Sequence, residues 1–232
     1  MHKTIILWAL LTGGGYTPLS AQKGFVTEAT TNSYQVFDAS GRAFVNPTSD
    51  VEGSPYFKAE WLPGSAILNA TRYNGIRLRL DLNAQEVHYL DSSNSELVLP
   101  KGLVKTVIWK TTATDSTWFQ CGFPATEGRD ANSFYLVLSS GKYWLLHSIT
   151  KPISERKDEM SGETKKEFTT YDDYYVYTGT TLQRIKKDKS SILSILNDKK
   201  EKVDEFITGN KLKLKSMDDV KRIIDYYNTL PS

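Results

Sequence analysis

Cysteine is almost missing from this chain. Cys121 is the only one, so no intramolecular disulfide can form and no thiolate cluster can hold a metal. Histidine is nearly as scarce. Beyond His2 there are only His88 and His147, scattered without metal-ligand spacing. No Gly-x-Ser-x-Gly elbow, His-Glu-x-x-His pair or phosphate-cradling glycine loop occurs. Nothing in these motifs calls for a cofactor. Long apolar runs are missing too: no segment after the N-terminus approaches the roughly 18 apolar residues that span a bilayer. A formal charge of +2 gives no reason to expect nucleic acid as a partner.

Cys121 itself lies in Trp118-Phe119-Gln120-Cys121-Gly122-Phe123. That context reads as a strand, where a free cysteine behaves as a small buried hydrophobe. The sharper alternative is a catalytic thiol served by His88 or His147, and the apolar surroundings weigh against it.

The N-terminus has the three parts of a secretory signal. Lys3 supplies the positive charge, Ile5 to Leu11 the apolar core, and Leu19-Ser20-Ala21 a small-residue exit, with cleavage expected before Gln22. Residues 1–21 are thus expected to be a signal peptide. The remaining 211 residues are enough for one domain with a large core. Residues 22–52 are rich in Thr, Ser, Asn and Gly and read as a flexible polar arm, with a short strand at Tyr34 to Phe37.

The chain is organised around Gly75 to Leu99. Ile76, Leu78, Leu80 and Leu82 alternate with Arg77, Arg79 and Asp81, the period of a half-buried strand. Val87 and Tyr89 resume the pattern, then Leu97 and Leu99. This predicts a three-stranded antiparallel meander with one wet face. That face carries Arg77, Arg79, Glu86 and His88, the candidate binding residues, with Arg77 or Arg79 expected to pair with Glu86 across the strands. Asp81, Asn83 and Glu86 read as a solvated turn, since they lack the spacing of a calcium loop.

Further strands are expected at Ser65–Ala70, from which a turn at Tyr73-Asn74-Gly75 delivers the chain into the meander, and at Leu103–Trp109, Trp118–Phe123, Ser133–Leu138, Lys142–Ile149, Tyr171–Tyr177 and Thr181–Lys186. Ser139-Ser140-Gly141 is a hairpin signal in which glycine would supply positive φ. Lys151 to Lys166 reads as a long exposed loop or a ragged hairpin end. The spacing leaves no room for crossover helices, so the fold class is mainly β: an antiparallel meander in residues 53–188, curled into a sandwich or partial barrel. Tyr174, Tyr175 and Tyr177 cannot all share one face. They are either ordinary cross-strand aromatics or a platform for a ligand.

Residues 189–232 form a small C-terminal α-helical appendage. Ser190-Ser191, Asp198 and Ser216 are the expected caps, and Gly209-Asn210 the end of the middle helix. Such short helices are marginal alone and must dock on something, with the outer β face or the edge strand of the same chain as the nearest candidate. Residues 181–232 carry a net charge of +4, and residues 22–180 a net −3. Lys186, Lys187, Lys199, Lys200, Lys211, Lys213 and Lys215 could face anionic lipid, or Lys211, Lys213 and Lys215 could guard an exposed strand edge.

The run from Gly53-Ser54-Pro55-Tyr56 with Trp61 and Gly64, through Arg-Leu-Arg-Leu-Asp-Leu, to Lys211-Leu-Lys-Leu-Lys and Ile223-Ile224-Asp225-Tyr226-Tyr227-Asn228 resembles a group of secreted Gram-negative envelope proteins. The resemblance implies a β-meander body with a short helical tail, and it brings no catalytic residues. The expected function is a non-catalytic binding or scaffolding module of the cell envelope, periplasmic or extracellular, with an envelope protein or lipid as partner. A carrier or sensor of an apolar ligand inside the curled sheet, and a hydrolase with a dispersed active site, are the alternatives.

Overall fold

The Arg-Leu-Arg-Leu-Asp alternation lies in the longest strand among the described residues, Thr71–Asp81, 11 residues long. In this computed structural model the described residues are 51–110, 116–157, 159–160 and 162–231, with Thr17–Pro18 as a two-residue strand. The expected signal peptide, the strand at Tyr34 to Phe37 and the arm up to residue 50 lie outside the described residues, Thr17–Pro18 excepted.

In chain order the strands are β1 (Thr17–Pro18), β2 (Val51–Glu52), β3 (Leu62–Leu68), β4 (Thr71–Asp81), β5 (Glu86–Leu90), β6 (Glu96–Leu99), β7 (Val104–Lys110), β8 (Ser116–Gln120), β9 (Tyr135–Ser139), β10 (Trp144–Thr150), β11 (Ile153–Lys157), β12 (Thr164–Phe168), β13 (Tyr171–Tyr177) and β14 (Leu182–Arg184). Three helices follow: α1 (Lys189–Ile195), α2 (Lys200–Gly209) and α3 (Met217–Thr229). A turn of 3-10 helix at Asn197–Lys199 links the first two.

Ten strands form one antiparallel sheet in the order β14-β13-β10-β9-β8-β7-β3-β4-β5-β6. β1 adds to it in parallel beside Tyr73 and Asn74 of β4. The sheet stays open and does not close into a barrel. It is nevertheless curled. The backbone N–H of Lys151, just past β10, donates to the Leu82 carbonyl just past β4. The Gln85 side chain at the β4–β5 turn accepts from the Phe134 N–H beside β9. Strands several places apart in the order could not meet in this way across a flat sheet. Leu78, Leu80, Val87 and Tyr89 consequently share one core with Val107, Trp109, Phe119 and Ile149.

The expected turn at Tyr73-Asn74-Gly75 is a bulge within β4. Ser65 opposes Asn74 and Gly64 opposes Ile76, leaving Gly75 unpaired with φ +70°, a conformation open to glycine. The chain reverses earlier, at Asn69 and Ala70, both at positive φ, as a two-residue hairpin requires. The charged stretch after Lys151 folds as the β11–β12 hairpin, and β2 joins it in parallel to make a separate three-stranded sheet.

The helices lie against the β9–β10–β13 end of the sheet. Ile192, Val203, Ile223 and Ile224 are buried with Leu145, Val176 and Ile185 in one cluster. The caps differ in part from expectation. α1 is capped by Asp188, whose carboxylate accepts from the Ser191 N–H. Asp198 falls within the 3-10 turn and α2 has no side-chain N-cap. α3 is capped by Ser216 as expected, through the Asp219 N–H. Gly141 does not take positive φ. Its role is close approach: a Cβ there would lie 2.7 Å from Asn228 of α3. Asn228 holds the backbone of Tyr143 at both ends, accepting from its N–H at 2.9 Å and donating to its carbonyl at 2.8 Å.

Candidate functional site

On the outer face of β4, β5 and β6 the register sets Arg79 opposite His88, and His88 opposite Val98. Glu96, two residues before Val98, projects from the same face. Its carboxylate is the hub of the site. Arg79 Nη2 donates to both oxygens at 2.9 Å. His88 Nδ1 lies 2.6 Å from Oε1 and the Tyr56 hydroxyl 3.3 Å from the same oxygen. A carboxylate only accepts, so His88 carries its proton on Nδ1.

Two aromatic rings clamp the arginine. The Arg79 guanidinium carbon lies 3.9 Å from the centroid of Tyr56 and 3.9 Å from that of Trp61. Tyr56 also meets His88 edge to face at 5.5 Å. Both rings come from the segment that leads into β3. That segment is pinned beside the end of β4 by Phe57 N–H to Leu80 O and Leu82 N–H to Pro55 O. Lys151 holds it from the other side, donating to the carbonyls of Ser54 and Tyr56 at 3.2 and 2.7 Å; burial lowers its pKa.

Arg79 and His88 are 15% and 14% exposed, while Glu96 is 40% exposed. Burial raises the Glu96 carboxyl, but the His88 hydrogen bond and the Arg79 charge outweigh it and bring the group down to about 2. Burial, with Glu96 adding to it, pushes the Tyr56 phenol up to about 12. Arg79 Nε and His88 Nε2 are buried with no hydrogen-bond partner. The site therefore presents one ionised carboxylate, Glu96; Arg79 and Trp61 beside it are partly buried and the Tyr56 ring is buried, and its groups are already tied to one another.

Of the four residues expected to line this face, the structure brings together two. Glu86 pairs with Lys101 at 3.2 Å and with neither arginine; it sits opposite Asp81, not opposite an arginine. Arg77 is exposed and turns to Asn94. Sequence reasoning missed Glu96, Tyr56 and Trp61. The signal for Glu96 was its spacing of two from Val98. Tyr56 and Trp61 stand in the run that carries the resemblance, but nothing there linked them to Arg79, which they reach through the long-range pairing of residues 55–57 with the end of β4. Asp81 serves the turn, accepting from the N–H groups of Asn83 and Ala84 at 2.7 Å each.

The remaining polar groups have their own partners. His147 Nε2 lies 2.6 Å from Asp172 and its ring stacks on Tyr174 at 4.3 Å. Cys121 is buried and donates to the Val104 carbonyl at 3.1 Å, and burial raises its pKa. Each of the three nucleophile or base candidates thus faces a different group. Tyr174 packs towards the helices, while Tyr175 and Tyr177 pack on the opposite face with Phe123 and Trp144, so β13 is covered on both sides. A cavity of about 10 Å³ between the β5–β6 region and Cys121 has room for about one water. Among the described residues no three His, Cys, Asp or Glu side chains gather to hold a metal, and no helix is long and apolar enough to cross a membrane.

Comparison of the chain with protein-family models, with curated proteins and with solved structures found no match.

Proposed function

We propose that this protein is a non-catalytic binding or scaffolding module of the cell envelope, which meets a partner protein through the face of Trp61, Arg79 and Glu96, backed by the buried Tyr56. The observation that carries the reading is the Arg79 guanidinium 3.9 Å from each of two ring centroids and tied through Nη2 to both oxygens of Glu96. Trp, Tyr and Arg are the residues that dominate protein interfaces. Here they are ordered before any partner arrives, which lowers the entropy cost of association. Export is supported by the charged, apolar and small-residue order of residues 3–21. The separate engagements of Cys121, His88 and His147 favour a binding role over hydrolysis.

The test is cross-linking capture from envelope extract with three forms of the protein: wild type, Trp61→Ala, and Glu155→Ala on the exposed β11 strand as control. A partner retained by wild type and Glu155→Ala but lost by Trp61→Ala supports the reading. Retention of the same partner by Trp61→Ala overturns it. Export is tested separately: N-terminal sequencing of the secreted protein should begin at Gln22.

A further inference from the structure

The connection between α2 and α3 breaks a local rule. α2 ends in a Schellman arrangement: the Leu212 N–H donates to the Ile207 carbonyl, and the Lys211 N–H to that of Thr208. The left-handed residue such a cap needs is normally glycine. Gly209 and Asn210 stand immediately before it, yet the position falls on Lys211, at φ +52°. Leu214 is left-handed as well, at φ +54°. Both are costly for residues with a Cβ.

This backbone turns two leucines inward and three lysines outward. Leu212 and Leu214 pack on the helix cluster, while Lys211, Lys213 and Lys215 are exposed. None of the three has an ion-pair partner among the described residues, although Lys142, Lys189 and Lys221 in the same part of the molecule are paired to Asp198, Asp204 and Asp225. Arg222 of α3 leans to the Asn210 side chain at 3.5 Å and adds a fourth cation. Asp218 and Asp219 in the first turn of α3 offset part of this charge. The segment is not a strand, so the lysines are not guarding a sheet edge.

We propose that the Lys211–Lys215 loop is a docking surface for the anionic phospholipid headgroups of a membrane. Hydrogen bonds at the α2 end and the Ser216 cap at the α3 end already order the loop, so its charges are presented without a further folding cost. Lysines are point charges on flexible stems, suited to a diffuse layer of phosphates; bidentate recognition of one carboxylate calls for arginine. The site is separate from the Trp61–Arg79–Glu96 face, and each can fail without the other.

Co-sedimentation with vesicles tests it, comparing phosphatidylglycerol-containing vesicles with pure phosphatidylcholine. The wild type should bind only the anionic vesicles, and less as salt rises. Each lysine near an anionic surface is worth about a fivefold change in binding, so Lys211→Gln/Lys213→Gln/Lys215→Gln should bind about 100-fold more weakly. Lys58→Gln/Lys105→Gln/Lys110→Gln, with the same net charge, should bind as wild type. Lys211→Gly should melt no lower than wild type, since glycine suits the left-handed cap, and still bind more weakly, which separates docking from misfolding. Equal loss in both triple variants, undiminished binding by the loop variant, or no preference for anionic vesicles overturns the proposal. So does binding to polyglutamate as tight as to vesicles, which would make the partner an acidic protein.

Discussion

Glu96 ties together more of the outer face than any other side chain, and its ionisation has a measurable consequence. Its carboxyl falls from 4.5 to about 2 on folding, so the folded state favours the charged form. That contribution is complete above about pH 4.5 and fades as the pH drops through about 2. Urea midpoints of wild type and Glu96→Gln should differ at about pH 4.5 and converge towards pH 2, as the Glu96 carboxylate takes up its proton in the folded protein. The gap at neutral pH should be about 1–2 kcal/mol, since the acceptor is charged but partly solvated. A gap that widens between about pH 4.5 and about pH 2 would contradict this assignment. At the far end of the sheet, Gly141 and Asn228 form a second residue-scale lock. Gly141→Ala puts a methyl 2.7 Å from the Asn228 amide and should cost about 1–3 kcal/mol. Asn228→Ala loses both bonds to Tyr143 and should cost a similar amount. The two should be strongly non-additive in a double-mutant cycle, because Asn228→Ala removes most of the atoms that the new methyl of Gly141→Ala strikes.

Among the elements, β4 bears the greatest share of the fold. Its apolar side is wholly inside: Leu78 and Leu80 are 0% exposed. Leu78→Ala should destabilise by about 2–5 kcal/mol, read as a shift in the denaturant midpoint with an unchanged slope. An effect below about 1 kcal/mol would mean the curled sheet is loosely packed there. The period-two pattern of β4 to β6 was legible because one face of the meander is buried and the other wet, and a single strand carries that contrast in its own residues. The three helices were legible for the matching reason, with Val220, Ile223, Ile224 and Tyr227 falling on one buried face of α3. Turns were read less well. Glycine in a sequence signals backbone freedom, and it does not say whether a bulge at Gly75, a hairpin or a close approach at Gly141 will use it. For β11–β12 the sequence leaves a long exposed loop and a ragged hairpin end as alternatives, because the side chains are mostly exposed and give no apolar alternation to read.

At the scale of the whole molecule, the helical tail and the β body share a core. Deleting residues 189–232 would uncover Leu145, Val176 and Ile185, an apolar patch that a monomer does not expose without aggregating. The truncated protein is therefore expected to be insoluble or to self-associate in size-exclusion chromatography, while the full chain elutes without aggregate. A soluble, cooperatively melting truncation would show that the tail is dispensable. This coupling also separates what the chain determined by itself from what its tertiary structure decided. Composition and period determined the mainly antiparallel β class, the wet and dry faces of the meander and the helical end, because those depend on neighbours in sequence. They also placed Arg79 and His88 on the wet face. The grouping of these two with Glu96, Tyr56 and Trp61, and the diversion of Arg77 to Asn94 and Glu86 to Lys101, came only with the fold. Strand register and the path of residues 55–61 decide those contacts, and both are settled by packing the whole curled sheet.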